Sequence, residues 1–547
     1  MNDPLAPAGA VKPGKKAKVA RMGPIRDNLE SFGVAILAAV LLKWFCIEAY
    51  QIPTSSMQPT LMGSTEAGVY DRILVDKSYH SFFAPQRFDV TVFRYPLQRN
   101  QSYVKRILGV GGTDGERLCI AGGNVYGVTD RDGKREYSIL RKPQRIQAGL
   151  WKNVFPARQL VRNETKAIGD SLFATPGGAW SEADGTFTAK LDGDQITRLA
   201  YNTNEEDGGF VDRVWDGYPT SVAAAIWKDH RQALRSGEIV PDARITATLT
   251  PETAPLEAGF AIDVVRPGLD KLTYALEIRG DQGKLLVRSK DAKIEAESAT
   301  FPCAIPAGGA TTVAFAHLDD MLYAWLDGDE VATLDVAAWH TREGCELAHP
   351  FTSSATQVAT PMLTLKGRGK VVVADLQMDR DLHYTRSGAP EVIEVPARHY
   401  FMMGDNTLQS VDSRDWTSLT IGMTPDGRIV EPPAVDSPEV RRITGNKRPV
   451  PPSQKVDRDE TPVVLPDRQR VMMLDQNGEV LALRAGVASS FLHGQGDLAF
   501  TRVDGGAEVK PEFGKVPFVR EEDVVGRALL VFWPIWPFGP HRLGFIR

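Results

Sequence analysis

Cysteine is scarce in this chain, with four in 547 residues, no CxxC pair and no HExxH, which argues against a structural zinc site or a zincin-type metalloprotease. The nine histidines are scattered, and none stands beside a nucleophile in a Gly-x-Ser-x-Gly elbow, so a Ser-His-Asp triad has little support. No excess of positive charge exists either: 64 Lys and Arg against 69 Asp and Glu give a net charge of −5, without the electrostatic footprint of a nucleic-acid binder. Glycine (49) and proline (36) make the chain turn-rich, but not collagen-like or disordered in composition. The length corresponds to three or four domains and excludes a single small module.

Long apolar runs are also few, and the informative one lies near the start. Residues 1–30 hold six basic residues against three acidic ones on a segment broken by Pro and Gly, which reads as a solvated basic tail. Phe32–Leu42 (FGVAILAAVLL) follows and extends to Tyr50. As a helix, Phe32–Tyr50 is about 28 Å long, close to the hydrocarbon thickness if Lys43 snorkels and Glu48 sits at the interface. We read residues 31–50 as one transmembrane helix. A cleaved signal peptide or a buried helix would fit the same run. Against cleavage stand the long basic tail, the lack of a clear small-x-small site, and Trp44 and Tyr50, which suit an interface. With the basic tail cytoplasmic, everything after Tyr50 faces the outside.

The exterior part reads as mainly β. VYDRILVD (69–76), RFDVTVFR (87–94) and SYVKRILG (102–109) are strand-type runs, and similar ones return at HYFMMGD (399–405) and VVGRALLVFW (524–533). One β unit is therefore expected to close across insertions, with parts at 51–184, 381–424 and 521–547. Residues 185–380 carry many strand-length runs separated by turn signals such as Asp281-Gln282-Gly283, Asp319-Asp320 and Asp327-Gly328, which predicts an inserted β-sandwich. A second, mixed insertion is expected at 425–520, opening with the Pro-rich stretch Glu431–Ser453. The run Leu529–Phe538 (LLVFWPIWPF) fits either a core strand followed by an aromatic turn or a segment dipping into lipid headgroups.

Three blocks carry candidate chemistry. Pro53-Thr54-Ser55-Ser56-Met57-Gln58-Pro59-Thr60-Leu61 follows the apolar helix, and a serine between prolines is by itself an ordinary turn hydroxyl. Tyr103-Val104-Lys105-Arg106-Ile107-Leu108-Gly109 puts a lysine inside a β-run. Burial there would depress its pKa from about 10.4 and let the neutral amine act as a base. Gly404–Arg414 supplies Ser410 and the Asp412/Arg414 pair.

In this order behind one amino-terminal helix, the three blocks resemble those of bacterial type I signal peptidases. The resemblance covers under thirty residues, though the conjunction is specific. It implies a signal-peptidase-type β shell and a membrane-bound serine endopeptidase that cuts signal peptides from exported pre-proteins after Ala-x-Ala sites. No cofactor or metal is implied. In that resemblance Ser56 is the nucleophile, Lys105 its general base and Ser410 the hydroxyl that orients the amine. Asp412 and Arg414 form a supporting pair, and Thr54 joins the Ser56 N–H in an oxyanion hole. Tyr50, Ile52, Pro53 and Val104 line pockets for small side chains. The implied setting is the inner membrane of a bacterium, with the lipid bilayer and signal peptides as partners. Two departures concern the loops: Gly109-Val110-Gly111-Gly112-Thr113-Asp114 replaces the usual Gly-x-Pro-Gly-Asp continuation, and Thr407 stands where the family usually has Arg.

The competing class is a membrane-tethered binding protein whose sandwich binds an unknown ligand beside a degenerate protease shell; the presence of Ser56, Lys105 and Ser410 together counts against it. A Ser-Lys self-cleaving regulator is disfavoured by the anchor and by the lack of a DNA-binding segment. Gly109–Gly112 lacks the spacing of a phosphate loop, and Arg279-Gly280-Asp281 is sufficiently explained as a turn. Cys46 and Cys119 read as packing residues. Cys303 and Cys345 flank strands of the sandwich in an oxidising setting, where a disulfide between them is one of two readings, packing being the other. The sandwich resembles concanavalin-like or laminin-G-like jelly rolls. Since no catalytic block falls inside it, it is expected to be dispensable for the chemistry.

Overall fold

A computed structural model describes residues 24–64, 68–157, 173–174, 179–201, 210–218, 222–223, 238–265, 272–289, 293–337, 358–386, 388–426, 428–435, 437–446, 463–464, 470–474, 480–485, 500–502, 512–535 and 542–547. Two units separate, Met1–Glu48 and Ala49–Arg547. In the first, the helix Pro24–Leu41 continues as a wider turn through Leu42–Cys46. Asn28–Cys46 is long and apolar enough to cross a membrane, and none of it is buried. No Pro or Gly breaker interrupts it except Gly33, whose surroundings are open.

Among the described residues, the regular elements of the second unit are mostly strands. One antiparallel sheet runs in the order Arg72–Asp76, Val524–Trp533, Val90–Tyr95, Gln98–Val110, His399–Met403 and Val519–Arg520. The late runs thus close the early ones: Arg527 pairs with Asp76 on one side and Thr91 on the other, while Met403 pairs with Arg106. Leu529–Trp533 belongs to that closing strand, the first of the two readings given to this run. A smaller sheet, Ile393–Val395, Glu116–Ala121, Asn124–Arg131 and Lys134–Ile139, packs beside it over Phe88, Leu108, Leu118, Ile120 and Phe401.

The inserted sandwich is organised by the 23-residue strand Val358–Arg380. Its first half pairs with Glu257–Val265 and its second half with Ala243–Pro251, while Thr186–Tyr201 follows its other edge through both halves. The change of partner falls at Gly367 and Gly369, whose φ of 154° and 82° suit glycine, so the strand crosses between layers there. The interior is largely apolar, with Ile245, Leu249, Phe260, Ile262, Tyr274, Leu276, Phe315, Leu363 and Leu365 all buried. Lys152–Phe155, Phe173–Ala174 and Trp180–Ala183 join the same sheet, which therefore reaches further towards the N-terminus than residue 185.

Asp319-Asp320 and Asp327-Gly328 are tight hairpin turns with positive φ at both positions, as their composition dictates. The third turn differs from its expected place. Gly280-Asp281 makes the turn, and Gln282 and Gly283 already pair in the next strand, because Gly283 is packed against the Phe301 ring where no side chain would fit. In the 425–520 region, the regular elements among the described residues are strands, in two small antiparallel sheets apart from Val519–Arg520, which joins the main sheet.

Shell and sandwich meet through a buried ionic cluster. The Lys142 ammonium contacts Asp319 and lies 2.7 Å from Asp381, and its backbone N–H donates to Asp319 at 2.9 Å. Tyr126 donates to Asp320 at 3.1 Å, and Arg141 donates to the carbonyls of Asp319 and Asp320. Asp242 joins Asp319 and Asp381 with carboxylate oxygens within 4.8 Å of one another, a spacing that suits a metal ion, but Lys142 supplies the cation in that place. Burial pushes Asp381 up to about 6, so the folded chain bears the cost of a buried charge above that pH and is relieved of it below. Lys142→Ala should therefore cost about 3–5 kcal/mol at pH 8, by leaving buried carboxylates unpaired. Without Lys142, which pulls Asp381 down, that carboxyl should protonate at higher pH than in the wild type, so the deficit should shrink as pH falls from 8 towards 6, which thermal melts across pH 5–8 would record.

Candidate active site

Ser56 sits in a single helical turn, Ser55–Met57, between extended Thr54 and the strand that begins at Gly63. The turn is fixed from both flanks. Asp71 accepts the Met62 N–H at 2.7 Å and returns its own N–H to the Met62 carbonyl at 2.7 Å, while Ile52 donates to the Asp71 carbonyl. Buried Met57 and Leu61 pack into the shell core with Ile52, Val75, Val90 and Val92. Gly63 lies so close to the Thr54 and Ile52 carbonyls that a Cβ would stand 2.4 Å and 2.7 Å from them.

Lys105 comes from the middle of Gln98–Val110, paired with Thr91 on the neighbouring strand. It is 3% exposed, and Nζ donates to Ser410 Oγ at 3.1 Å. Burial lowers its pKa to about 8; Asp412 pulls it upward and Arg414 downward, so the pair's opposite charges partly cancel at the amine. Asp412 and Arg414 are themselves buried and joined by two hydrogen bonds, 2.8 Å from Nε and 2.9 Å from Nη2. Asp412 also accepts the Gly404 N–H at 3.1 Å, and Arg414 donates to the carbonyls of Thr385 and Thr407. Every strong group around the amine thus has a partner of its own.

The two blocks meet in one cavity. Ser56, Lys105, Thr54, Tyr50, Ile52, Pro53 and Val104 all line it, together with Gln409, Val411 and Trp416. Thr54 Oγ1 and Ser56 Oγ are 3.3 Å apart. No hydrogen bond joins Ser56 to Lys105, and such contacts commonly tighten only when substrate arrives. Ser410, Asp412 and Arg414 are buried behind the amine and do not line the cavity. Cys303 is a buried thiol, pushed up to about 11 by burial, and Cys345 lies outside the described residues.

Several residues that hold this arrangement carry no role in the sequence reading. Asn406 donates from its backbone to the Ser56 carbonyl at 3.2 Å and from its side chain to the Ser55 carbonyl at 3.1 Å. Gly404 leaves no room for a side chain: a Cβ would stand 2.2 Å from Ser410 Oγ and 2.3 Å from the Ser56 carbonyl. Asp405 takes two hydrogen bonds from fully buried Arg106, at 2.8 Å and 2.6 Å, and one from Thr60 at 2.5 Å, tying all three blocks together. The available signal was the charge next to each block's key residue, Arg106 after Lys105 and Asp405 after Gly404. Thr407, at the departure from the family pattern, donates to the His383 carbonyl at 3.0 Å.

Comparison with known proteins points to one family. Residues 25–161 and 351–431 match the family described as signal peptidase, peptidase S26. The match is to a peptidase S26 domain, split by an insertion. It is 35% identical over 129 residues to a probable signal peptidase I-1 from Synechocystis sp., covering 22% of this chain and 59% of that protein. With a signal peptidase I from Buchnera aphidicola, identity is 38% over 162 residues, covering 27% and 49%. The chain spans between about a third and three fifths of the length of such curated relatives. Among solved structures, the carbohydrate binding module CBM66 from Bacillus subtilis shares 10% identity at a TM-score of 0.22, over 38% of this chain and 96% of its own. The gap in the S26 match, 162–350, holds most of the inserted sandwich.

A buried amine whose pKa is lowered costs stability while it is charged. The cost is present below pH 8 and fades as pH rises from 8 towards 10.5, because the unfolded chain then binds the extra proton. Lys105→Met should therefore raise the stability of the S26 domain at pH 6 by about 1–3 kcal/mol, and the gain should vanish near pH 10. Chemical denaturation at the two pH values would measure it.

Proposed function

We propose that this protein is a membrane-anchored serine endopeptidase of the signal peptidase I type, removing signal peptides from exported pre-proteins with Ser56 and Lys105 as its dyad. The observation that carries the proposal is a buried lysine that lines one cavity with Ser56, held by Ser410 and lowered to about 8 by loss of water. An exposed lysine is protonated at neutral pH and cannot accept a proton; this one is partly neutral there. The split S26 match and the relatives named signal peptidase I support the same reading.

In the proposed reaction, neutral Lys105 removes the Ser56 hydroxyl proton as Oγ attacks the scissile carbonyl. The negative charge that develops on the carbonyl oxygen is met by the Ser56 N–H and the Thr54 hydroxyl. The protonated amine then gives its proton to the leaving nitrogen, and the acyl-enzyme is hydrolysed by a water that Lys105 activates in turn. Ser410 keeps the amine lone pair aimed at the cavity by accepting one of its hydrogens. Ile52, Val104 and Pro53 offer apolar walls that suit small side chains next to the cleaved bond. The helix Asn28–Cys46 would hold the enzyme in the membrane with its N-terminus cytoplasmic, next to substrates that are themselves anchored by an apolar helix.

Ser56→Ala and Lys105→Ala should each abolish processing of a pre-protein bearing an Ala-x-Ala site by detergent-solubilised protein. Wild-type turnover should rise with pH through an apparent value near 8. Thr54→Ala should fold but raise the barrier by about 3 kcal/mol, with Thr54→Ser largely restoring it. A Lys105→Ala protein with near-wild-type activity would reject the dyad.

A further inference from the structure

The inserted sandwich does not stand clear of the site. Between its strands Thr186–Tyr201 and Ala243–Pro251, the chain sends a segment, described at residues 210–218 and 222–223, onto the shell. Trp215, Tyr218, Val222 and Ala223 bury Met62, which is 0% exposed, immediately after the Ser56 turn. The Tyr218 hydroxyl donates to the Leu61 carbonyl at 3.3 Å. The phenol is fully buried, and burial raises its pKa far above the ordinary range, so it remains a neutral donor.

A guanidinium closes the stack from the other side. Arg542 lies 4.8 Å from the Tyr218 ring, donates to the Thr60 carbonyl at 3.3 Å and holds Asp71 with two bonds of 2.9 Å and 2.6 Å. Asp71 in turn holds the Met62 backbone. The segment is fastened to the sandwich by Arg380, at the end of the long strand, which donates to Asp216 at 2.5 Å and to the Arg213 carbonyl at 2.7 Å, all buried. Continuous buried contacts therefore run from the sandwich through Arg380, Asp216, Trp215 and Tyr218 to Leu61 and Met62, five and six residues past Ser56. Trp215 and Tyr218 lie in the gap of the S26 match.

We propose that the insertion is a built-in buttress of the nucleophile turn, with Tyr218 and Trp215 as positioning residues for Ser56. This departs from the expectation that the sandwich is dispensable for chemistry: without it, Met62 would face water and the Leu61 carbonyl would lose its donor. The inference rests on the peptidase reading only for its consequence in turnover; its structural part is independent of it.

The test uses the full chain in detergent, comparing wild type, Tyr218→Phe, Trp215→Ala and Trp215→Phe. Hydrogen exchange of residues 54–63 and hydrolysis of a short Ala-x-Ala peptide are both followed. Tyr218→Phe keeps the ring and removes one buried donor, so it should fold, exchange faster over 54–63, and lose about fivefold in kcat with KM unchanged. Trp215→Ala should do more, and Trp215→Phe should recover part of it; should Tyr218→Phe fail to fold, Trp215→Phe is read in its place. Unchanged exchange over 54–63 in the folded variants would overturn the buttress, whatever the activity. Faster exchange with no cleavage by wild type would uphold the buttress and reject the peptidase reading instead.

Discussion

Keeping one amine out of water is the constraint on which the rest of the site depends. A lysine at 3% exposure tolerates burial only if its charge is suppressed or compensated. The site does some of each. Ser410 gives the amine a neutral acceptor, and Asp412, the anion that pulls most strongly on its pKa, is committed to Arg414 and to the Gly404 N–H. Had Asp412 been left free, it would have held the amine charged. The Asp412–Arg414 pair can therefore be understood as removing a competing interaction, in addition to shaping the loop.

Such an amine is useful only beside a hydroxyl held in place, and the turn bearing Ser56 is short and has few hydrogen bonds of its own. It is held from outside: Asn406 from the third block, Asp71 from the early sheet, Asp405 through Thr60, and Tyr218 from the insertion. Thus the shell can be interrupted within its second sheet, between Lys134–Ile139 and Ile393–Val395, without losing the geometry. The long insertion meets the shell at the Lys142 cluster and again at Tyr218, which donates to the Leu61 carbonyl.

Local patterns made much of this legible in advance. Lys105 in a β-run and the Asp-Asp and Asp-Gly turns between alternating strands carry their meaning within a few residues, whereas Ser56 between prolines reads as a turn hydroxyl until the other two blocks are set beside it. The turn near residue 281 was displaced because Gln282 and Gly283 are drawn into pairing by Phe301, a contact that no local pattern contains. The same holds for Tyr218 on Leu61, 157 positions apart, and Arg106 on Asp405, 299 apart. An aromatic in an insertion reads as core of that insertion until the fold shows what it covers. Sheet membership of Lys152–Phe155 was hidden for a related reason: four residues have no periodicity long enough to assign them to a partner, and Val358–Arg380 supplies one from far along the chain.

The central claim is that Lys105 titrates near neutrality because the fold buries it. Nuclear magnetic resonance of side-chain-labelled lysine, with the Lys105 signal assigned by its absence in Lys105→Met, measures that directly in the full chain. The account predicts a transition at about 8, while surface lysines titrate near 10.5. A Lys105 signal that titrates with the surface lysines would contradict it, since an amine still charged at that pH could not serve Ser56 as a base.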